Sequence, residues 1–93
     1  MVFKLDEYYI KIHKCDSGYD YSIYDYDYEL IDGGVYENLE YKIYDVLKDI
    51  IIDNRLFIDN KDIKIVDYKE FDEIIEEKEM LKFNILSIRN STT

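Results

Sequence analysis

Apolar and polar positions alternate near the start of the chain. Tyr8, Ile10 and Ile12 face one way between residues 7 and 14, and Tyr9, Lys11 and His13 face the other. That is the period of a half-buried strand. Phe3 and Leu5 run in the opposite phase, which predicts a bulge near Asp6 or a ragged start. Cys15-Asp16-Ser17-Gly18 reads as a turn, because Asp and Ser bond their own backbone and Gly accepts positive φ. A second strand is predicted over 19–24, with Tyr19, Tyr21 and Ile23 opposed to Asp20, Ser22 and Tyr24. After Asp25-Tyr26-Asp27 the apolar phase shifts to Tyr28 and Leu30, the mark of a tight hairpin. A third strand runs over 28–31. Asp32-Gly33-Gly34 predicts a bulge or structural bend, with positive φ at Gly33, Gly34 or both, after which Val35 and Tyr36 resume the strand.

The period then changes. Leu39, Ile43, Val46, Leu47, Ile50 and Ile51 fall at i, i+4, i+7, i+8, i+11 and i+12, one apolar stripe of a helix over 39–53. Asn38 is the expected N-cap and Asn54 the expected left-handed end. Leu56-Phe57-Ile58 is a short apolar run, residues 59–62 a turn and residues 63–66 a further strand. Asp67-Tyr68-Lys69-Glu70 has the form of a capping box. A second helix over about 68–79 buries Phe71, Ile74 and Ile75. Leu81, Phe83 and Ile85 alternate, which predicts a last strand to about Ile88, with residues 90–93 frayed. Strands joined by hairpins, with few helices, predict an α+β fold: one small domain over 1–93, an antiparallel or mixed sheet of four to five strands, and two helices on one face.

Charge narrows the function. The chain has 22 acidic and 12 Lys or Arg residues, a formal net charge of −10. That disfavours direct binding to nucleic acid, which depends on neutralising phosphates, and to anionic membrane surfaces. It favours solubility or a basic protein partner. With one cysteine, Cys15, no intrachain disulfide forms, as in a reducing cytoplasm. The N-terminus does not read as a secretory signal, and the longest apolar run, Ile50-Ile51-Ile52, does not span a bilayer.

No reaction centre is visible in the sequence. His13 and Cys15 would share a strand face, yet neither has an evident third partner, and together they do not fill a zinc site. Asp20, Asp25, Asp27, Glu29 and Asp32 do not follow the spacing of a calcium loop. Asp32-Gly33-Gly34 lacks the third glycine and the lysine of nucleotide loops. The expectation is a chain without enzymatic activity, required metal or cofactor. The eleven tyrosines, six of them in 18–38, are the unusual feature. Tyr9, Tyr24, Tyr26 and Tyr36 are candidates for exposure, and with Asp20, Asp27 and Glu29 they form a candidate partner-binding surface.

The stretch Gly18-Tyr19-Asp20-Tyr21-Ser22-Ile23-Tyr24-Asp25, followed by Tyr28-Glu29-Leu30-Ile31-Asp32-Gly33-Gly34-Val35-Tyr36-Glu37-Asn38, resembles a small domain of large polyvalent proteins. Those proteins occur in conjugative elements and phages of Gram-positive bacteria. The likeness covers 18 to about 53, with Ser22 where Thr is common. It implies a mobile-element accessory protein and brings no catalytic residues. The expected function is therefore non-enzymatic protein binding. The alternatives are inhibition of host defence as an acidic DNA mimic, or small-ligand binding. Mimicry requires the carboxylates of the hairpin and of Glu70, Glu73 and Glu77 on the second helix to lie on one side. Helix placement across the sheet from the hairpin's solvated face predicts that they point apart.

Overall fold

The computed structural model describes residues 1–38, 40–56 and 63–91, with side chains to residue 82. Five strands form one antiparallel sheet: β1 (Val2–Leu5), β2 (Tyr8–Cys15), β3 (Gly18–Asp25), β4 (Leu30–Tyr36) and β5 (Ile63–Val66). Their order across the sheet is β4-β3-β2-β1-β5. Two helices complete the α+β fold, α1 (Ile43–Asp53) and α2 (Tyr68–Ser91).

Phe3 and Leu5 belong to a separate strand. β1 pairs antiparallel with β2, Leu5 opposite Tyr8, and Asp6 turns the chain at φ 39°. A two-residue hairpin thus takes the place of the expected bulge. Asp tolerates the left-handed region because its short side chain bonds locally.

The two helices lie on opposite faces of the sheet, which corrects the expected placement on one face. Register fixes the faces. Phe3 pairs with Ile10 and Ile10 with Ile23, and these three are buried with Ile12, Val46, Leu47 and Ile50 under α1. The alternate positions Val2 and Tyr9 are buried with Phe71 of α2, and Tyr24, Tyr28, Val66 and Ile75 pack around them. β2 is therefore apolar in both phases for half its length, which is what a strand between two layers requires.

Each helix end has a local cause. Tyr19 Oη donates to the Tyr41 carbonyl at 2.8 Å, and the Asn38 side chain accepts from Glu40 N–H at 3.0 Å. These bonds hold the chain before residue 43 in a turn. Lys42 then takes the N-cap position, its N–H donating to Asp45 Oδ2 at 3.1 Å. Helix α1 thus starts at Ile43, and Asn38 caps nothing; Leu39 and the expected turn at 59–62 lie outside the described residues. At the other end Leu56 N–H reaches the Ile51 carbonyl and Arg55 N–H the Ile52 carbonyl. Arg55, not Asn54, adopts the left-handed geometry, at φ 52°. Asp67 caps α2 as expected, accepting from Glu70 N–H at 2.9 Å.

Helix α2 runs 24 residues to Ser91 and overturns the expected strand over 81–88. Leu81, Ile85 and Ile88 also stand at i, i+4 and i+7, so the apolar spacing fits both periods. No Gly or Pro follows Gly34 anywhere in the chain to stop a helix.

The glycines divide differently from the expectation. Gly33 and Gly34 both lie within β4 without positive φ, so Asp32-Gly33-Gly34 is strand and not a left-handed bend. The register shift falls one residue earlier: Ile23 pairs with Asp32 and Tyr24 with Leu30, so Ile31 is the extra residue of a bulge. Gly34 is required for closeness: a Cβ there would stand 3.0 Å from the Tyr21 ring. Gly18 is the glycine with positive φ, 152°, and a Cβ there would collide with the Tyr36 carbonyl oxygen.

Two substitutions test this architecture by denaturant titration. Leu47, 2% exposed under α1, should lose about 2–5 kcal/mol on replacement by Ala; a loss under about 1 kcal/mol would contradict its core position. Gly18→Ala should cost more than Gly34→Ala, because a backbone atom blocks the first Cβ and a side chain the second. The reverse order would refute the assignment.

Candidate functional site

The tyrosine-rich hairpin β3–β4 carries most of the candidate residues, and α2 sorts them. Tyr9, expected at the surface, is 8% exposed. Its ring stacks on Tyr28 at 4.9 Å and meets Phe71 at 5.3 Å, and the two hydroxyls lie 3.2 Å apart. Tyr24 is half-buried, edge-on to Phe71 at 5.2 Å. Tyr28 sits at φ 64°, a left-handed position at the hairpin closed by Tyr28 N–H to the Asp25 carbonyl. A bulky residue is strained there, at a cost of about 1–3 kcal/mol. The aromatic cluster offsets that strain. The hydrogen bond with Tyr9, and next burial, raise the Tyr28 phenol above its usual pKa.

Tyr36 is half-buried on the opposite, α1-facing side, its Oη donating to Asp53 Oδ2 at 2.6 Å. Burial, then that bond, pushes its phenol well above the usual range. Asp20, Asp27 and Tyr26 are exposed, Tyr26 at 64%. Glu29 is held by Lys78 at 2.9 Å and Lys82 at 3.0 Å, and Lys78 also donates to the Asp27 carbonyl. The hydrogen bonds from those lysines keep the Glu29 carboxyl below its usual range. The candidate residues do not form one surface: Tyr9 and Tyr24 pack under α2, Tyr36 binds α1, and Tyr26, Asp20 and Asp27 remain open.

His13 packs edge-on to Tyr68 at 5.4 Å. Burial first, then the positive charges of Lys11 and the N-terminus, lower its pKa. Lys11 itself binds Asp72 at 2.6 Å and lies over the Tyr68 ring. Cys15 Sγ is 3.7 Å from Ser17 Oγ, in the loop of the hairpin. Among the described residues no three His, Cys, Asp or Glu gather where they could hold a metal ion. A cavity of about 210 Å³ opens between α2 and the sheet, floored by Tyr9, Tyr28 and Phe71. It carries one carboxylate, Glu70, with Lys4 as the opposing charge. Among the described residues no helix is long and apolar enough to cross a membrane.

Sequence reasoning missed the other exposed part of this hairpin. Every residue of β4 but Tyr36 is exposed, including Leu30 (63%), Ile31 (53%) and Val35 (51%). The available signal was apolar residues in both phases on either side of Gly33-Gly34.

These features define a small acidic α+β domain whose sheet lies between two helices, with β4 and β5 as its edge strands. The chain belongs to the family described as large polyvalent protein-associated domain 16, whose model matches residues 1–78. The match takes in all five strands, α1 and the part of α2 that packs on the sheet. No curated protein and no solved structure matches the chain.

The lowered His13 pKa gives a signed pH effect. The unfolded chain, with a pKa of about 6.5, takes up the proton more readily than the folded one. This part of the stability is present above that pH and is lost as pH falls towards the depressed folded value. An NMR titration of the imidazole should give a midpoint below 6.5; a midpoint above it would contradict the packing on Tyr68.

Proposed function

We propose that this chain is a non-enzymatic protein-binding accessory module of a mobile genetic element, acting in the bacterial cytoplasm on a basic protein partner. The observation that carries the reading is β4. Apart from Tyr36, which bonds α1, its residues are exposed; it presents Leu30, Ile31 and Val35 and runs among the exposed carboxylates Asp20, Asp32 and Glu37. Apolar side chains rimmed by one sign of charge suit a protein carrying the opposite sign. Membership in a family of polyvalent-protein-associated domains supports an accessory role.

The alternatives draw less support. A DNA mimic needs free carboxylates, and Glu29 is tied to two lysines. A small-ligand site with converging carboxylates is not what the cavity at Tyr9 and Tyr28 offers, since Glu70 is its one carboxylate.

Affinity capture on the immobilised chain, from a lysate of a bacterium carrying the element, tests the reading. Mass spectrometry should identify a basic protein retained over an equally acidic control protein and released as salt is raised. Retention of nothing beyond the control would contradict the proposal.

A further inference from the structure

We infer that the outer edge of β4 is a docking site for an extended peptide segment in which apolar and basic residues alternate, paired to the sheet as a sixth strand. This rests on the protein-binding reading above and names its mode.

The register shows which backbone groups of β4 are not used by β3. Cys15 pairs with Gly18 across a two-residue loop, a position that exchanges both main-chain hydrogen bonds. Alternation from there turns the backbone groups of Tyr19, Tyr21 and Ile23 towards β4, where they meet Tyr36, Gly34 and Asp32. Gly33 and Val35 therefore point their N–H and C=O groups away from the sheet. The hydrogen bond recorded there agrees: Gly33 N–H donates to the carboxylate of its neighbour Asp32 at 2.8 Å, a local substitute for a strand partner.

Natural sheets protect such edges with charged side chains, lysine above all, with proline, with bulges or with short strands. The other edge, β5, is four residues long and carries Lys64. β4 has seven residues and neither Lys, Arg nor Pro; its one bulge, at Ile31, and its one charge, Asp32, leave Gly33 to Val35 in regular pairing with β3.

Side chains specify the occupant. On the α2-facing side Val35 lies opposite Asp20 and Leu30 opposite Tyr24, with side-chain-free Gly33 between them. That row takes apolar residues. On the α1-facing side stand Asp32 and Tyr36, the latter bonded to Asp53. That row takes Lys or Arg. A second copy fits poorly, because β4 against β4 would set Asp32, Glu37 and their flanking carboxylates against themselves in two chains of net charge −10.

The test uses the full chain and a capped heptapeptide of alternating valine and lysine, followed by backbone amide shifts. The peptide should shift the Gly33 and Val35 amides. The same peptide N-methylated at alternate residues should not, because the bonding edge is removed while the charge stays. Val35→Pro removes an outward donor that β3 does not use, and should weaken binding at least about tenfold. Should that variant lose its fold by circular dichroism, Val35→Lys keeps the donor, places a cation on the site, and should weaken the peptide similarly. Shifts confined to other strands, or equal binding of the N-methylated peptide, would overturn the proposal. So would self-association of the free chain that Val35→Pro abolishes, since the occupant would then be a second copy. If the peptide fails while a captured basic protein is still held by the Val35→Pro variant, edge pairing is refuted and protein binding stands. If capture also fails, the reading beneath it falls too.

Discussion

Burial of the β2–β3 hairpin on both faces is the constraint on which the rest of the structure depends. Ile10, Ile12 and Ile23 point under α1, while Tyr9 and Tyr24 point under α2. A chain of 93 residues is near the lower limit for a stable core, and here it builds two small cores that share one sheet. The two differ in kind. The α1 side is mostly aliphatic. The α2 side is an aromatic cluster around Phe71 with Tyr9, Tyr24 and Tyr28. Tyrosine serves the second because its ring packs while its hydroxyl reaches a partner at the margin. The strained backbone of Tyr28 is tolerated because its ring completes that cluster.

The strands and the α1 stripe were legible because short-range periodicity and burial agree there. Val46, Leu47 and Ile50 are buried as their spacing demands. What failed was long-range. Tyr9 and Tyr24 occupy the phase that looked polar, so the second helix seemed to belong with the first, and its true place on their side of the sheet depends on Phe71. The extension of α2 failed because Leu81, Phe83 and Ile85 satisfy a strand period while Leu81, Ile85 and Ile88 satisfy a helical one. Gly33 and Gly34 were misread because a glycine admits positive φ but does not require it; at Gly34 the reason is the Tyr21 ring. The candidate surface was only partly legible. Exposure of Tyr26 follows from the hairpin tip, but the Lys78 and Lys82 contacts with Glu29 span some fifty residues of chain and leave no local signature.

The same two-sided clasp explains why β4 is exposed among the described residues. Among the described residues α1 meets β4 at Tyr36, and α2 packs on Val2, Tyr9, Tyr24 and Val66, which leaves Leu30, Ile31 and Val35 exposed. A sheet edge whose outward backbone groups are not used by β3, with three exposed apolar residues and no Lys or Arg within the strand, is a hazard for a protein that has no use for it. The surrounding carboxylates would repel a like-charged strand and attract a basic one, as the proposed docking requires. Acidity that reads in the sequence as simple solubility thereby acquires a place in the fold.

Amide hydrogen exchange along β4 tests the account most directly. The Gly34 and Tyr36 amides, bonded to β3, should exchange slowly. Those of Gly33 and Val35, which point outward, should exchange much faster, so that protection alternates along the strand. Uniformly slow exchange would show that this edge is already paired, by the chain itself or by another copy, and would contradict the open edge on which the functional reading rests.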